Sequence, residues 1–209
     1  MAKITGVEAR VLVNHFRCVM EKKGYVFFEG KKPYDLNIVG VRSFNMRANK
    51  FDDSINVFYK NTKKDWEVRV YKATTDPGTY YLEHPMKVTG TAIMVPGQYR
   101  SAYKIGLHRG SYEALVQRGE NPVQIYRDSN KDEILDMEKN SILEGHFGIN
   151  IHKSGSDSKI VEKWSAGCQV FKTSSDFKDF MTLVNRAAKY WGPSFTYTLL
   201  EEKDFEECK

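Results

Sequence analysis

The chain has 209 residues, a formal net charge of +5, 41% hydrophobic and 28% charged residues. That balance excludes wholesale disorder and fits one well-buried domain with at most a small accessory piece. Basic residues are interleaved with acids, which argues against a nucleic-acid binder, and no apolar run approaches the roughly 18 residues of a membrane span.

The opening Met1–Gly6 has no apolar core of a secretory leader, so the expectation is synthesis in the cytoplasm without a signal peptide. Val7 to Lys23 places Val11, Leu12, His15, Phe16, Val19 and Met20 on one helical stripe, and Gly24 is a stop signal. His15 reads there as a partly buried core residue, not a ligand. From Leu36 the period becomes that of strands: Leu36–Ser43, Ile55–Lys60 and Trp66–Lys72, the last two joined as a hairpin by Asn61–Asp65. Asp76-Pro77-Gly78 marks a turn, with extended chain following through Tyr80 and Tyr81.

Gly90–Val95 and Pro122–Arg127 are further strands, and Gly106–Tyr112 between them reads as a polar loop. Asp128 to Asp132 spaces oxygen ligands as a calcium loop does. The sixth position is Glu133 and the twelfth Lys139, however, so a plain turn is expected and no calcium. Phe147–His152 is a strand-like run ending in an imidazole, and Trp164–Phe171 is an apolar run broken at Gly167, immediately before Cys168. Thr173–Asp176 starts a helix whose Phe177, Phe180, Met181, Val184, Ala188 and Trp191 recur at helical spacing until Gly192-Pro193. Phe195–Leu200 is a closing strand, and the acidic tail, residues 201–209, is expected to fray. Residues 1–35 form a helix and linker belonging to the same domain as 36–200, and the class is mainly β (α+β).

Cys18, Cys168 and Cys208 are an odd set at unrelated spacings. No CxxC pair or His/Cys grouping is present, so neither a metal nor an organic cofactor is expected, and the cysteines read as free thiols in a reducing compartment. Cys18 would be a core filler and Cys208 an exposed terminal residue.

A thiol and an imidazole, each at the end of a β segment, are the raw material of a nucleophile–base pair. An ordinary thiol, with pKa about 8.5, is mostly protonated at neutral pH. A neighbouring imidazolium stabilises the thiolate, and His152 is the partner expected for Cys168 if their strands are adjacent. Gly167, lacking a Cβ, lets substrate approach the backbone, and the amides of Gly167 and Cys168 would form an oxyanion hole. Ser165 would orient His152 through its hydroxyl or its carbonyl.

The stretch Gly148-Ile149-Asn150-Ile151-His152, then Ser165-Ala166-Gly167-Cys168, resembles the signature of the L,D-transpeptidase (YkuD-like) catalytic domain: a histidine, a gap of a dozen or more residues, and a Ser/Thr-X-Gly-Cys core. The resemblance spans Leu36 to Phe171. The chain departs from it at Ala166, where the family has histidine, and at Gln169 and Val170, where it has an apolar residue and then Arg or Asn. The resemblance implies a YkuD-like β-sandwich or barrel with an N-terminal and a C-terminal helix on the sheet. It also implies action on peptidoglycan stem peptides, with His146, His108 and Tyr80 lining the substrate groove.

The combined expectation is a cysteine-dependent acyl-transfer enzyme, most simply a hydrolytic murein peptidase of the phage-lysin or virion-borne kind. It would be monomeric and reach the bacterial wall after release or delivery. Cross-linking or tailoring of wall by transpeptidation is the alternative within that chemistry. A non-catalytic wall-binding or virion structural module is the alternative outside it.

Overall fold

A computed structural model describes residues 1–208. In chain order the elements are β1 (Ala2–Thr5), α1 (Gly6–Lys22), β2 (Asn37–Arg42), β3 (Asp53–Lys60), β4 (Trp66–Thr74), α2 (Thr79–Glu83), β5 (Thr91–Met94), β6 (Gly97–His108), β7 (Tyr112–Gln117), β8 (Val123–Asp128), β9 (Leu143–Gly145), β10 (Ile151–Lys153), β11 (Gln169–Phe171), α3 (Ser174–Trp191) and β12 (Ser194–Glu201). The structure is mainly β. Eight strands close into a barrel in the order β4-β11-β10-β7-β6-β12-β2-β3 and back to β4, which leaves their backbone groups no free edge. β1 adds to β4 antiparallel, and β5-β8-β9 form a separate three-stranded sheet. Two barrel pairings are parallel, β10 with β11 and β12 with β2.

Period-2 alternation divides the core. On β2, β3, β4 and β12, residues Val39, Phe58, Val68 and Leu200 pack against Ala9, Val13, Phe16, Val19 and Met20 of α1. Their neighbours Ile38, Val57, Tyr71 and Leu199 face the other way, into a cluster that also takes Phe177, Phe180 and Val184 of α3. The helix α3 starts where Thr173 Oγ1 accepts from the Asp176 amide at 3.2 Å, and ends at Gly192. Gly24, at φ +71, closes α1 in the left-handed region where only glycine is free of Cβ strain.

Several expectations are corrected. The stripe of α1 runs through Ala9 and Val13, while Val11 is 61% exposed, because the seat for the helix is the outer face of the barrel strands. The segment after Gly78 is the short helix α2, not extended chain. Gly106–Tyr112 is not a loop interrupting the pattern: β6 and β7 run through it as a hairpin whose turn is only Arg109–Ser111, closed by the Ser111 amide on the His108 carbonyl at 2.9 Å. Trp164–Phe171 is not one strand, since Glu162–Trp164 is a 3₁₀ turn and β11 begins after the cysteine.

Through Cys208 the tail does not fray. Glu202–Phe205 forms a 3₁₀ turn, Phe205 packs edge-on against Phe16 at 4.8 Å, and Cys208 is disulfide-bonded to Cys18 across 190 residues. Two of the three cysteines are therefore not free thiols, and the inference of a reducing compartment loses its basis. Lys209 lies outside the described residues. No helix among the described residues is long and apolar enough to cross a membrane.

Candidate active site

Cys168 stands one residue before β11, beside the chain that leads into β10. The parallel pairing sets Ile151 against Gln169 and His152 against Val170. One step upstream the Gln169 amide donates to the Asn150 carbonyl at 2.9 Å, and the Asn150 amide donates to Cys168 Sγ at 3.4 Å. The expected adjacency of the histidine and cysteine segments is thus present, although the cysteine precedes its strand and His152 lies within its own.

The thiol opens on a cleft of about 370 Å³, lined by Ala92, His108, Arg127, Phe147, Asn150 and Ala166 among others. His108, the last residue of β6, is 7% exposed and lies in the cleft wall; His152 is 4% exposed and sits behind it. The two rings stack with centroids 4.0 Å apart. His152 Nδ1 donates to the Lys153 carbonyl at 2.8 Å, so its lone pair is on Nε2. Asn150 Nδ2, which can only donate, lies 3.2 Å from His108 Nδ1, so His108 carries its hydrogen on Nε2. Among the described residues, no hydrogen bond joins Cys168 Sγ to either ring; the thiol donates instead to the Gly148 carbonyl at 3.6 Å. Asn150, which links sulfur to imidazole, was not anticipated. Its position two residues before His152, on the same face by alternation, was the available signal.

Electrostatics keep every partner neutral. Burial pushes His152 down to about 3, helped by the neighbouring His108 and Arg109 and opposed by the Lys153 carbonyl. His108 is lowered for the same first reason, with Arg109 adding to it. Burial raises the Cys168 thiol above its ordinary value, against the Asn150 amide and Arg109, which lower it. The expected imidazolium that would hold a thiolate is therefore absent at neutral pH, and the resting pair is thiol and imidazole.

Ser165 is fully buried and makes no hydrogen bond to His152. Its hydroxyl donates to the Cys168 carbonyl at 2.8 Å and accepts from the Gly167 amide at 3.1 Å, while its carbonyl accepts from the Gly78 amide at 2.9 Å. The role foreseen for it, orienting the imidazole, is replaced by one it performs on the backbone: tying the turn that carries the thiol. The same bond removes the Gly167 amide from the expected oxyanion hole. The Cys168 amide has no hydrogen-bond partner among the described residues, and it alone of the two remains available. Gly167 has φ +115, and a Cβ there would overlap the Ala92 carbonyl oxygen, so both conformation and space demand glycine.

Two supports around the thiol carried no sequence signal. Gln117 Oε1 accepts from the amides of Phe147, Gly148 and Ile149 at 3.1, 3.0 and 3.2 Å, fixing the wall whose Gly148 carbonyl meets the thiol. On the other side Thr75 is held by Asp53 through its amide and hydroxyl, while its carbonyl accepts from Arg42 Nη2 and Gln169 Nε2. Arg42 Nε lies 2.8 Å from Asp76 Oδ1, yet Asp76 is so buried that its carboxyl is pushed up to about 7 despite that cation, with Asp53 adding to the rise.

Of the residues expected to line a groove, His108 and His146 do line the cleft, and His146 Nε2 lies 3.2 Å from the Gln117 carbonyl oxygen. Tyr80 does not. It lies on α2, stacked on His84 with the Lys163 ammonium 4.1 Å over its ring. Asp128 ends β8 with one oxygen accepting from the Asp136 amide at 2.9 Å, a use as a turn anchor. Comparison with known proteins finds no match to this chain: no family model, no curated protein and no solved structure.

Proposed function

We propose that this protein is a cysteine-dependent acyl-transfer enzyme acting on peptidoglycan stem peptides, and that water is its usual acceptor. The observation that carries the reading is the chain's single free thiol at a cleft walled by His108, with His152 stacked behind that ring, its Nδ1 anchored and its Nε2 holding a lone pair. The resemblance of the surrounding residues to the L,D-transpeptidase signature supports the substrate class. Its Arg after the cysteine is missing here, where Gln169 and Val170 are both fully buried, and this favours hydrolysis over transfer to a second stem.

In this mechanism Cys168 Sγ attacks the acyl carbon and a C–S bond forms as the thiol proton passes to His152 Nε2. With a neutral resting pair, proton transfer accompanies bond formation and does not precede it. The Cys168 amide donates to the developing oxyanion. The imidazolium returns the proton to the leaving amine as the C–N bond breaks. Water, deprotonated by the same nitrogen, then opens the thioester and restores the thiol.

One observation favours a second reading, a non-catalytic wall-binding module: the sulfur makes no hydrogen bond to either imidazole. Mass spectrometry of wall fragments incubated with wild type and with Cys168→Ala separates the two. Fragments gaining the mass of water in the wild-type digest alone support hydrolysis, and joined stems mean transfer. Identical digests overturn the enzyme and leave the binding module.

A further inference from the structure

The side chains lining the Cys168 cleft include three cations, Lys87, Arg109 and Arg127, and no acid. The chain has 27 acidic residues against 32 Lys and Arg, so an acid-free wall is a local bias, not the average composition. None of the three cations has an ion-pair partner among the described residues.

Arg127 is the most demanding case. It lies on β8, partly buried, with Nη1 donating to the Gly90 carbonyl at 2.9 Å and its guanidinium 5.4 Å over the Phe147 ring. Its Nε is buried with no partner, and burial lowers its pKa. A guanidinium drawn out of water without a counter-charge is unfavourable until something anionic reaches it. Arg109, at the exposed tip of the β6–β7 hairpin with φ +49, is held near enough to influence both His108 and the thiol.

We propose that Lys87, Arg109 and Arg127 form an anion-recognition subsite beside the thiol, that it takes an acyl donor bearing a free carboxylate, and that Arg127 is its specificity-determining contact. Arginine suits a carboxylate because its charge-assisted donors are strong and directional. A carboxylate there would supply the counter-charge the protein leaves out. This inference rests on the reading of Cys168 as the reacting group.

The test uses the thiol as its own reporter. Cys18 and Cys208 are bonded to each other, so alkylation of the folded protein reads Cys168 alone. Its rate with anionic iodoacetate is divided by its rate with neutral iodoacetamide; the thiolate fraction, common to both reagents, cancels. The ratio is compared with that of N-acetylcysteine. The expected result is a ratio about threefold or more above the free thiol, falling toward it with added salt and in Arg127→Gln and Arg109→Gln. It should stay unchanged in Arg47→Gln, an exposed residue paired with Glu133 outside the cleft. A ratio equal to the free thiol's and indifferent to the variants overturns the subsite, and the proposed function survives if wall fragments are still cleaved. Failure of both reagents to label the folded protein overturns the subsite and the reacting thiol together.

Discussion

Replacing Ser165 by alanine isolates what the buried hydroxyl does. In the native turn it satisfies two backbone groups, the Cys168 carbonyl at 2.8 Å and the Gly167 amide at 3.1 Å, in a position with no solvent access. Alanine leaves both without a partner. A buried orphaned polar group costs about 1–3 kcal/mol, so two of them should cost the variant about 2–6 kcal/mol in urea unfolding, which at about 2–4 °C per kcal/mol is at least about 4 °C in Tm for a domain of this size. Ser165→Ala should also make Cys168 alkylate faster in native buffer, because the turn holding the sulfur against the Gly148 carbonyl loosens. His152, to which Ser165 makes no hydrogen bond, should keep its Nδ1–H tautomer, readable from imidazole nitrogen shifts. Unchanged stability together with a changed His152 tautomer would refute this account and restore the role of orienting the imidazole.

Four further outcomes follow from the geometry. Iodoacetamide labelling of Cys168 should rise about tenfold per pH unit from pH 6 to pH 8, as for a thiol titrating at or above its ordinary value; a plateau across that range would mean a preformed thiolate–imidazolium pair. His152 has a folded pKa far below its unfolded one, so its contribution to stability is present above about pH 6.5 and is lost as pH falls toward about 3. The stability of wild type relative to His152→Gln should therefore shrink by up to about 1.4 kcal/mol per pH unit on acidification, and a gap independent of pH in urea titrations would count against a buried neutral imidazole. Cys208→Ser should cost about 2–5 kcal/mol by releasing the long loop closed on Cys18, and an unchanged Tm with and without reductant would contradict the bond. Gly167→Ala should lower both stability and Cys168 reactivity more than Ala166→Gly does, checked by thermal melts alongside labelling.

Much of the architecture was legible because it follows from local periodicity. The β3–β4 hairpin, β5, β8, α3 with its Thr173 start and Gly192 stop, and the mainly β class all appear in the order of residues. They do so because alternation, helical spacing, and turn and cap residues act over a few positions. The same local signals singled out His152, Cys168 and Gly167.

What needed the folded chain is whatever depends on residues far apart. No local pattern ties Cys18 to Cys208, or directs the Ser165 hydroxyl to its own turn instead of His152. Nor could it draw Asn150 and His108 together across 42 positions, or gather Lys87, Arg109 and Arg127 around one thiol. The protonation states belong to the same class. Cysteine and histidine side chains in water would sit near their ordinary values; in the folded chain burial moves the thiol up, and burial together with the neighbouring His108 and Arg109 moves the His152 imidazole down.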